Sequence, residues 1–170
     1  YGFCYTLSHY FPALSGKKAL VLGSGGASKT VRIALADAGC REVIIISRTG
    51  ENNYDNLSLH ADAEFIVNTT PVGMYPNNGK APLSLKQFPK LIGVVDLIYN
   101  PIRTAFLLEA RERNIPYANG LMMLVAQAAL SSSLFPGLPV DEKKIDEVTA
   151  SIHAAETNLI LIGMPGCGKS

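Results

Sequence analysis

The sequence predicts an α/β domain built on a doubly wound parallel sheet with helices on both faces. Short runs of apolar, often β-branched residues alternate along the chain with segments of helical periodicity. The short runs are largely apolar rather than alternately polar, which is typical of strands buried on both faces. Because strands and helices alternate, the strands are expected to lie side by side in one parallel sheet.

The apolar periodicity also gives the expected order of the elements. The predicted strands are residues 18–23, 42–47, 64–68 and 91–98, followed by a short extended piece at 116–118. The predicted helices are residues 1–14, 27–38, 104–113, 120–135 and 141–155. Gly39 stands where a helix end favours positive φ, and Asp141 is a candidate N-cap. The helix at 120–135 is nearly all apolar, so it is expected to be buried.

Composition excludes several classes of protein. The 170 residues are 48% hydrophobic and 17% charged, with 15 basic and 14 acidic side chains. This balance lacks the basic footprint of a nucleic-acid-binding protein, and no apolar stretch is long enough for a membrane span. Cys4, Cys40 and Cys167 share no close spacing, and the three histidines are scattered. We therefore predict a cytoplasmic protein without disulfides or a metal site.

A glycine-rich turn joins the first strand to the next helix. It consists of Gly23, Ser24, Gly25, Gly26 and Ala27. With Ser28 in the place of a third glycine, its spacing is that of the dinucleotide fingerprint. The first glycine permits the turn, the second permits close approach of a pyrophosphate, and the helix N-terminus attracts its charge. The turn predicts a Rossmann-like dinucleotide site; a merely tight strand–helix turn is the alternative.

The residues after the second strand indicate which dinucleotide binds. A carboxylate at this point would bind the ribose hydroxyls of NAD, but the sequence has Ser47, Arg48 and Thr49. A guanidinium can pair with the 2′-phosphate of NADP and stack on adenine, and the two hydroxyls can donate to the same phosphate. NADP is therefore the predicted cofactor. Glu51 keeps NAD open as an alternative, and a solvated surface charge is the alternative for Arg48.

Five phrases in order resemble one family. They are GSGGAS at 23–28, SRT at 47–49, NTTPVGM at 68–74, DLIYNPIRT at 96–104 and NGLMMLVAQA at 119–128. Together they resemble the NADP-binding domain of shikimate dehydrogenases over about residues 1–155. The resemblance implies an oxidoreductase whose parent reaction is the reversible NADPH-dependent reduction of 3-dehydroshikimate to shikimate. A quinate dehydrogenase remains open as an alternative.

The resemblance also implies roles for individual residues. Residues 23–27 would hold the pyrophosphate, and residues 47–49 the 2′-phosphate. Thr69 would border the cofactor, with Leu97 and Gly120 beside its nicotinamide. Tyr99 and Gln127 would reach the hydroxylated substrate. Without the family, Tyr99 could equally be a core tyrosine, whereas an amide such as Gln127 on an apolar helix is expected to be buried with a polar partner.

Two departures from the family affect these expectations. The interval between the second and third strands is shorter than usual, so a helix is lost there and residues 54–57 are predicted to form a brief edge strand. The Lys and Asp that transfer protons in this family belong to an N-terminal domain, so no residue here is assigned to catalysis. We therefore expect the isolated chain to lack the catalytic domain and to self-associate through apolar surface left exposed.

A second phosphate motif closes the sequence. Residues 163–170 have the full Gly-x4-Gly-Lys-Ser pattern directly after a predicted strand at 158–162, which is specific for a phosphate-binding loop. Residues 156–170 resemble the opening of a shikimate kinase. We therefore expect two units, residues 1–155 and 156–170, from a dehydrogenase–kinase fusion cut just after this loop. A phosphotransferase is the alternative function, although a loop without its following helix is expected to bind ATP negligibly.

Overall fold

The computed structural model describes residues 1–137 and 139–156. Its five described strands form one parallel sheet in the order β2-β1-β3-β4-β5. The strands are β1 (Lys18–Leu22), β2 (Glu42–Ile46), β3 (Phe65–Asn68), β4 (Gly93–Asp96) and β5 (Tyr117–Ala118). Each lies within a predicted strand or extended segment. The predicted parallel α/β sheet is confirmed.

Five described α-helices accompany the sheet. They are α1 (Gly2–Tyr10), α2 (Gly26–Asp37), α3 (Ala105–Glu112), α4 (Leu121–Leu134) and α5 (Glu142–Ala155). Helix α1 ends before the predicted boundary because Pro12 disfavours helical backbone at Phe11. Gly39 has a φ of 83°, and the Asp141 carboxylate accepts a hydrogen bond from the Lys144 N–H. Both end signals are confirmed.

Helices cover both faces of the sheet because the two strand–helix–strand crossovers run in opposite directions across it. Helix α2 joins β1 to β2, whereas α3 joins β4 to β5. The first face packs Ala19 and Val21 against α1 and α2. The other packs Leu20 and Leu22 against α3 and two single-turn 3-10 helices, Leu57–His60 and Leu85–Gln87. The doubly wound arrangement is thereby confirmed.

Helix α4 is less buried than its composition suggests. Its first half buries Leu121, Val125 and Ala126 between α1 and α5. Its far end leaves Leu134 71% exposed and the adjoining Phe135 93% exposed. The expectation that the helix is buried therefore holds for its first half only, and its far end has the exposed apolar surface expected of the isolated chain. None of the described helices is long and apolar enough to cross a membrane.

Two other expectations concern segments outside regular structure. Residues 54–57 do not form an edge strand: the chain turns there and enters the 3-10 helix Leu57–His60. Side-chain hydrogen bonds of asparagines satisfy backbone groups in this link, so no strand partner is needed. The expected strand at 158–162 and phosphate loop at 163–170 lie outside the described residues.

Candidate functional site

The candidate site lies at the carboxyl ends of β1 and β3. The connection from β1 leads to β2 on one side of β1, whereas β3 pairs with β1 on its other side. The connections that leave β1 and β3 therefore run in opposite directions. Such a switch point is where open parallel sheets bind ligands. Gly23 follows β1 there with a φ of 104°, and a Cβ on it would lie 2.9 Å from Thr69 Oγ1. Glycine is therefore required at the first position of the turn.

The N-terminus of α2 is open toward this switch point. The helix begins at Gly26 after Gly25, no side chain of the described residues caps it, and its first turn contains no acidic residue. Residues 24–27 are exposed. The first N–H groups of a helix have no partner within the helix, and the helix dipole gives them a partial positive charge. This end of α2 can therefore bind an anion.

Two adjoining cavities form a cleft along this edge of the sheet. The first has a volume of about 550 Å³ and extends from the glycine turn to the end of β2. The second has a volume of about 410 Å³ and lies beyond the ends of β3 and β4. Thr69, Thr70 and Pro71 line both cavities. An extended ligand could therefore occupy both cavities at once.

Most of the predicted site residues meet in this cleft. The first cavity is lined by Gly23, Ser24, Gly25, Ser47, Arg48 and Thr69, and the second by Ala27, Thr69, Leu97 and Tyr99. Gly26 and Thr49 are exposed next to residues of the first lining. Tyr99 is 49% exposed, so the alternative of a core tyrosine is wrong.

Gln127 lies apart from this cleft. It is exposed on α4 and belongs to neither lining. The expectation that its amide is buried with a polar partner is wrong, because α1 and α5 cover other parts of the α4 surface. Its role toward a substrate stays a prediction.

Gly120 serves the site through the backbone. Its N–H donates to the Ile98 carbonyl oxygen over 3.1 Å, and a Cβ at this position would collide with the Leu97 carbonyl oxygen. The start of α4 is therefore held directly against the segment that lines the second cavity. Any larger residue would push Leu97 and Ile98 out of place.

The first cavity contains several residues that sequence reasoning missed. Tyr54, Val72, Ala81 and Pro82 complete its lining. Tyr54 is half-buried; its burial raises the pKa of the phenol, and the positive charge of Arg48 opposes this rise. The Tyr54 ring and Arg48 thus belong to one part of the cavity. These residues come from irregular loops, where the sequence offers no periodic pattern that would bring them together.

A buried hydrogen-bond network lies directly beneath the shared part of the cleft. The Asp96 carboxylate accepts from the Thr104 hydroxyl at 2.6 Å, the Asn68 amide at 2.9 Å and the Ile98 N–H at 3.2 Å. The Asn68 carbonyl oxygen in turn accepts from the Thr70 hydroxyl at 2.7 Å. Burial raises the pKa of Asp96 to about 6, against the opposing effect of these donors. The network connects cleft-lining Thr70 to the start of α3.

The chain is similar to known dehydrogenases over most of its length. It is 31% identical over 161 residues to the NADP(+) shikimate dehydrogenase of Clostridium perfringens, which corresponds to 87% of this chain and 59% of that protein. No family model matches the chain.

Solved structures give the same picture. A chorismate mutase/shikimate 5-dehydrogenase fusion protein from Clostridium acetobutylicum superposes with a TM-score of 0.84 at 35% identity, covering 91% of this chain and 60% of that one. Shikimate 5-dehydrogenase from Thermus thermophilus, solved with NADP(H) and shikimate, gives 0.75 at 33% identity, covering 88% and 60%. The chain thus spans about 60% of the length of these proteins. Over most of its own length it is a homologue of shikimate dehydrogenases and shares their Rossmann-like fold.

Proposed function

We propose that this chain binds NADP(H) in the cleft, as the dinucleotide-binding part of a shikimate dehydrogenase. One observation carries the proposal: the open N-terminus of α2 and the Arg48 side chain face the same cavity. One supplies partial positive charge from backbone N–H groups, and the other supplies a full positive charge. A dinucleotide with both a pyrophosphate and a 2′-phosphate matches these two features.

The residues present fit this cofactor. The turn at 23–27 would hold the pyrophosphate, since residues 24–27 at the start of α2 are exposed and the space beside Gly25 and Gly26 is open, while Gly23 lets the turn pack against Thr69. Ser47, Arg48 and Thr49 would hold the 2′-phosphate. Leu97, with Gly120 packed against its carbonyl, would border the nicotinamide in the second cavity. When bound, NADPH supplies the hydride for carbonyl reduction.

For the parent reaction we propose the reversible reduction of 3-dehydroshikimate to shikimate. Tyr99 borders the second cavity with its side chain half exposed, and it would donate a hydrogen bond to a hydroxylated substrate. Gln127 is proposed for the same substrate. We assign the proton-transfer groups to a catalytic domain outside this chain, which is consistent with the greater length of the relatives.

The same proposal extends to the packing of α4. Its exposed end, Leu134 and Phe135, would pack against the catalytic domain in a longer protein. In the isolated chain it would favour association with a second copy.

The isolated chain is expected to reduce NADP⁺ with shikimate no faster than background, because general acid–base catalysis alone contributes about 10²–10⁴-fold. Turnover proportional to protein concentration and lowered by Tyr99→Phe would contradict this assignment.

Cofactor titration tests the proposed function directly. The chain is expected to bind NADPH about tenfold to a hundredfold more tightly than NADH, since charged hydrogen bonds contribute about 1.5–3 kcal/mol. Arg48→Ala should abolish most of this preference. Arg32→Ala, at an exposed position on α2 outside the linings of the cleft, is the matched control and should retain it. Equal affinities of the unmodified chain for the two dinucleotides would refute the proposal.

We also propose, from the motif alone, that residues 156–170 begin a phosphate-loop domain of shikimate kinase type. Its test is calorimetry with ATP and Mg²⁺. Binding to this chain should be negligible, because a phosphate loop needs the helix that follows it. Micromolar affinity lost in Lys169→Ala would contradict that expectation.

A further inference from the structure

The turn that presents Arg48 is closed at its base by one backbone hydrogen bond. The Ser47 N–H donates to the Asn52 carbonyl oxygen over 3.1 Å. Within the turn, a Cβ on Gly50 would lie 2.5 Å from Ser47 Oγ, so the chain is tightly folded. Arg48 and Thr49 are exposed at its tip. The direction in which Arg48 extends therefore depends on how firmly the base of the turn is held.

Asparagine side chains support the outer part of this turn. Asn53 Nδ2 donates to the Gly50 carbonyl oxygen at 3.2 Å, and Asn56 Nδ2 donates to the Glu51 carbonyl oxygen at 2.8 Å. These bonds are local and exposed or half-buried. They shape the turn, but they do not attach it to the core of the domain.

His60 provides an attachment to the core. Its side chain is buried at 7% exposure, and its Nε2 lies 2.9 Å from Asn52 Oδ1. It closes the 3-10 helix whose Leu57 packs in the core. The side chain of Asn52 thus contacts the imidazole, and its backbone carbonyl oxygen accepts a hydrogen bond from the Ser47 N–H.

The electrostatic surroundings favour the neutral form of the imidazole. Burial lowers the pKa of His60 and nearby Lys18 lowers it further, whereas Glu42 and Asp62 act in the opposite direction. A neutral ring carries one N–H, which the Asn52 amide oxygen accepts from Nε2. The other nitrogen, Nδ1, is buried and has no hydrogen-bond partner within the part of the chain that the structure describes. Among the described residues, Asn52 is therefore the polar partner of this ring.

We infer that His60 is a positioning residue for cofactor specificity, which holds the Arg48 turn in place through Asn52. The inference rests on the proposed binding of NADP(H). His60 is not among the residues that line either cavity, so it acts on the dinucleotide only through the turn. Loss of the His60 side chain should weaken the binding of the 2′-phosphate by Arg48. It should leave unchanged the binding of the pyrophosphate by the N-terminus of α2.

The first experiment compares two dinucleotides and two substitutions. His60→Leu should raise the Kd for NADPH about fivefold to tenfold, because an unrestrained side chain must be ordered on binding. The Kd for NADH should change less than about twofold. His60→Gln, whose amide can still donate to Asn52, should restore most of the NADPH affinity. Thr6→Val, which removes a buried side-chain hydrogen bond from α1, controls for a general loss of stability.

A double-mutant cycle then separates positioning from structural damage. If His60 acts through Arg48, His60→Leu should have little further effect on NADPH affinity in the Arg48→Ala background. Hydrogen exchange supplies a readout without any cofactor: the Ser47 amide should lose protection in His60→Leu and keep it in His60→Gln. An unmodified chain without NADPH preference overturns both the proposed function and this inference. A preference that Arg48→Ala abolishes and His60→Leu leaves intact overturns this inference alone.

Discussion

Two strand–helix junctions at the same edge of the sheet differ in how the N-terminus of the helix is capped. After β1, helix α2 starts with no side-chain cap from the part of the chain that the structure describes, and residues 24–27 are exposed. After β4, helix α3 starts at Ala105 with Thr104 as its cap, accepting from the Leu107 N–H over 3.4 Å. Beneath that cap lies Asp96, a fully buried carboxylate. One junction is open and the other is closed.

The difference shows where an external ligand can bind. At the closed junction the chain supplies its own anion, and the hydroxyl of Thr104 serves both as cap to α3 and as donor to Asp96. At the open junction the first turn of the helix has no acidic residue, and Gly25 stands at the capping position without a capping side chain among the described residues. The positive end of α2 is therefore left for a ligand. The closed junction therefore contributes to the stability of the fold, whereas the open junction is available to bind a ligand.

The largest expected effect comes from breaking the closed junction. Thr104→Ala should lower the free energy of unfolding by about 3 kcal/mol, since it removes an N-cap and leaves a buried carboxylate oxygen without its donor. Thr104→Ser keeps the hydroxyl and should cost only about 1 kcal/mol for the lost methyl group. Urea unfolding measures both. Equal losses for the two variants would show that packing, not the hydroxyl, matters at this position.

Closing the open junction should separate stability from binding. Gly25 has an extended conformation, and a Cβ there would meet nothing within 4 Å. Gly25→Asp should therefore cap α2 and stabilise the fold by about 0.5–1 kcal/mol. The same carboxylate should weaken NADPH binding about a hundredfold, because it takes the N–H groups and repels the pyrophosphate.

Gly25→Asn is the matched control for that prediction. It can cap the helix without a charge, so it should weaken binding less than the aspartate does. Thermal unfolding and NADPH titration measure the two effects. A folded Gly25→Asp chain with unchanged NADPH affinity would mean that the ligand does not use this helix end.

The buried carboxylate of the closed junction should make stability depend on pH. The pKa of Asp96 is about 6 in the folded chain against an ordinary 3.8, so the folded state binds its proton more tightly. This contribution to stability is full below pH 3.8 and is lost as pH rises through 6. The loss between pH 4 and pH 7 should be about 2 kcal/mol. Urea unfolding measures the free energy of unfolding of the unmodified chain and of Asp96→Asn, whose side chain does not titrate. The difference between the two free energies should vary with pH by this amount, and a difference that stays constant would contradict the prediction.

The smallest effect is expected at the open junction itself. Ser24 is exposed and lies in the lining of the first cavity, where the backbone rather than the hydroxyl would meet a phosphate. Ser24→Ala should change the free energy of unfolding by less than about 0.5 kcal/mol. It should also change NADPH affinity less than about threefold, since the alanine keeps its N–H. A larger loss of affinity would assign a direct role to the hydroxyl.

Sequence reasoning was accurate where structure depends on neighbouring residues. The strands around Leu20 and Val94 follow from uninterrupted apolar runs, and the ends of helices follow from Gly39 and Asp141. It failed where distant segments decide the outcome. Whether Gln127 is buried depends on which sides of α4 meet α1 and α5. The turn and 3-10 helix at 54–60 depend on side-chain contacts that no periodicity encodes.

The sequence by itself determined the parallel α/β class, the glycine turn before α2 and the arginine after β2, because each is written in local spacing and residue type. Only the tertiary structure decided which loops complete the cleft. Tyr54 and Pro82 are separated along the chain, yet they line one cavity with Arg48. The tertiary structure also decided that His60 meets Asn52 and that Asp96 lies beneath Thr104. Such contacts form only when the strands have paired in their final order. The reason is that polar groups buried by folding must find partners, and these partners need not be close in sequence.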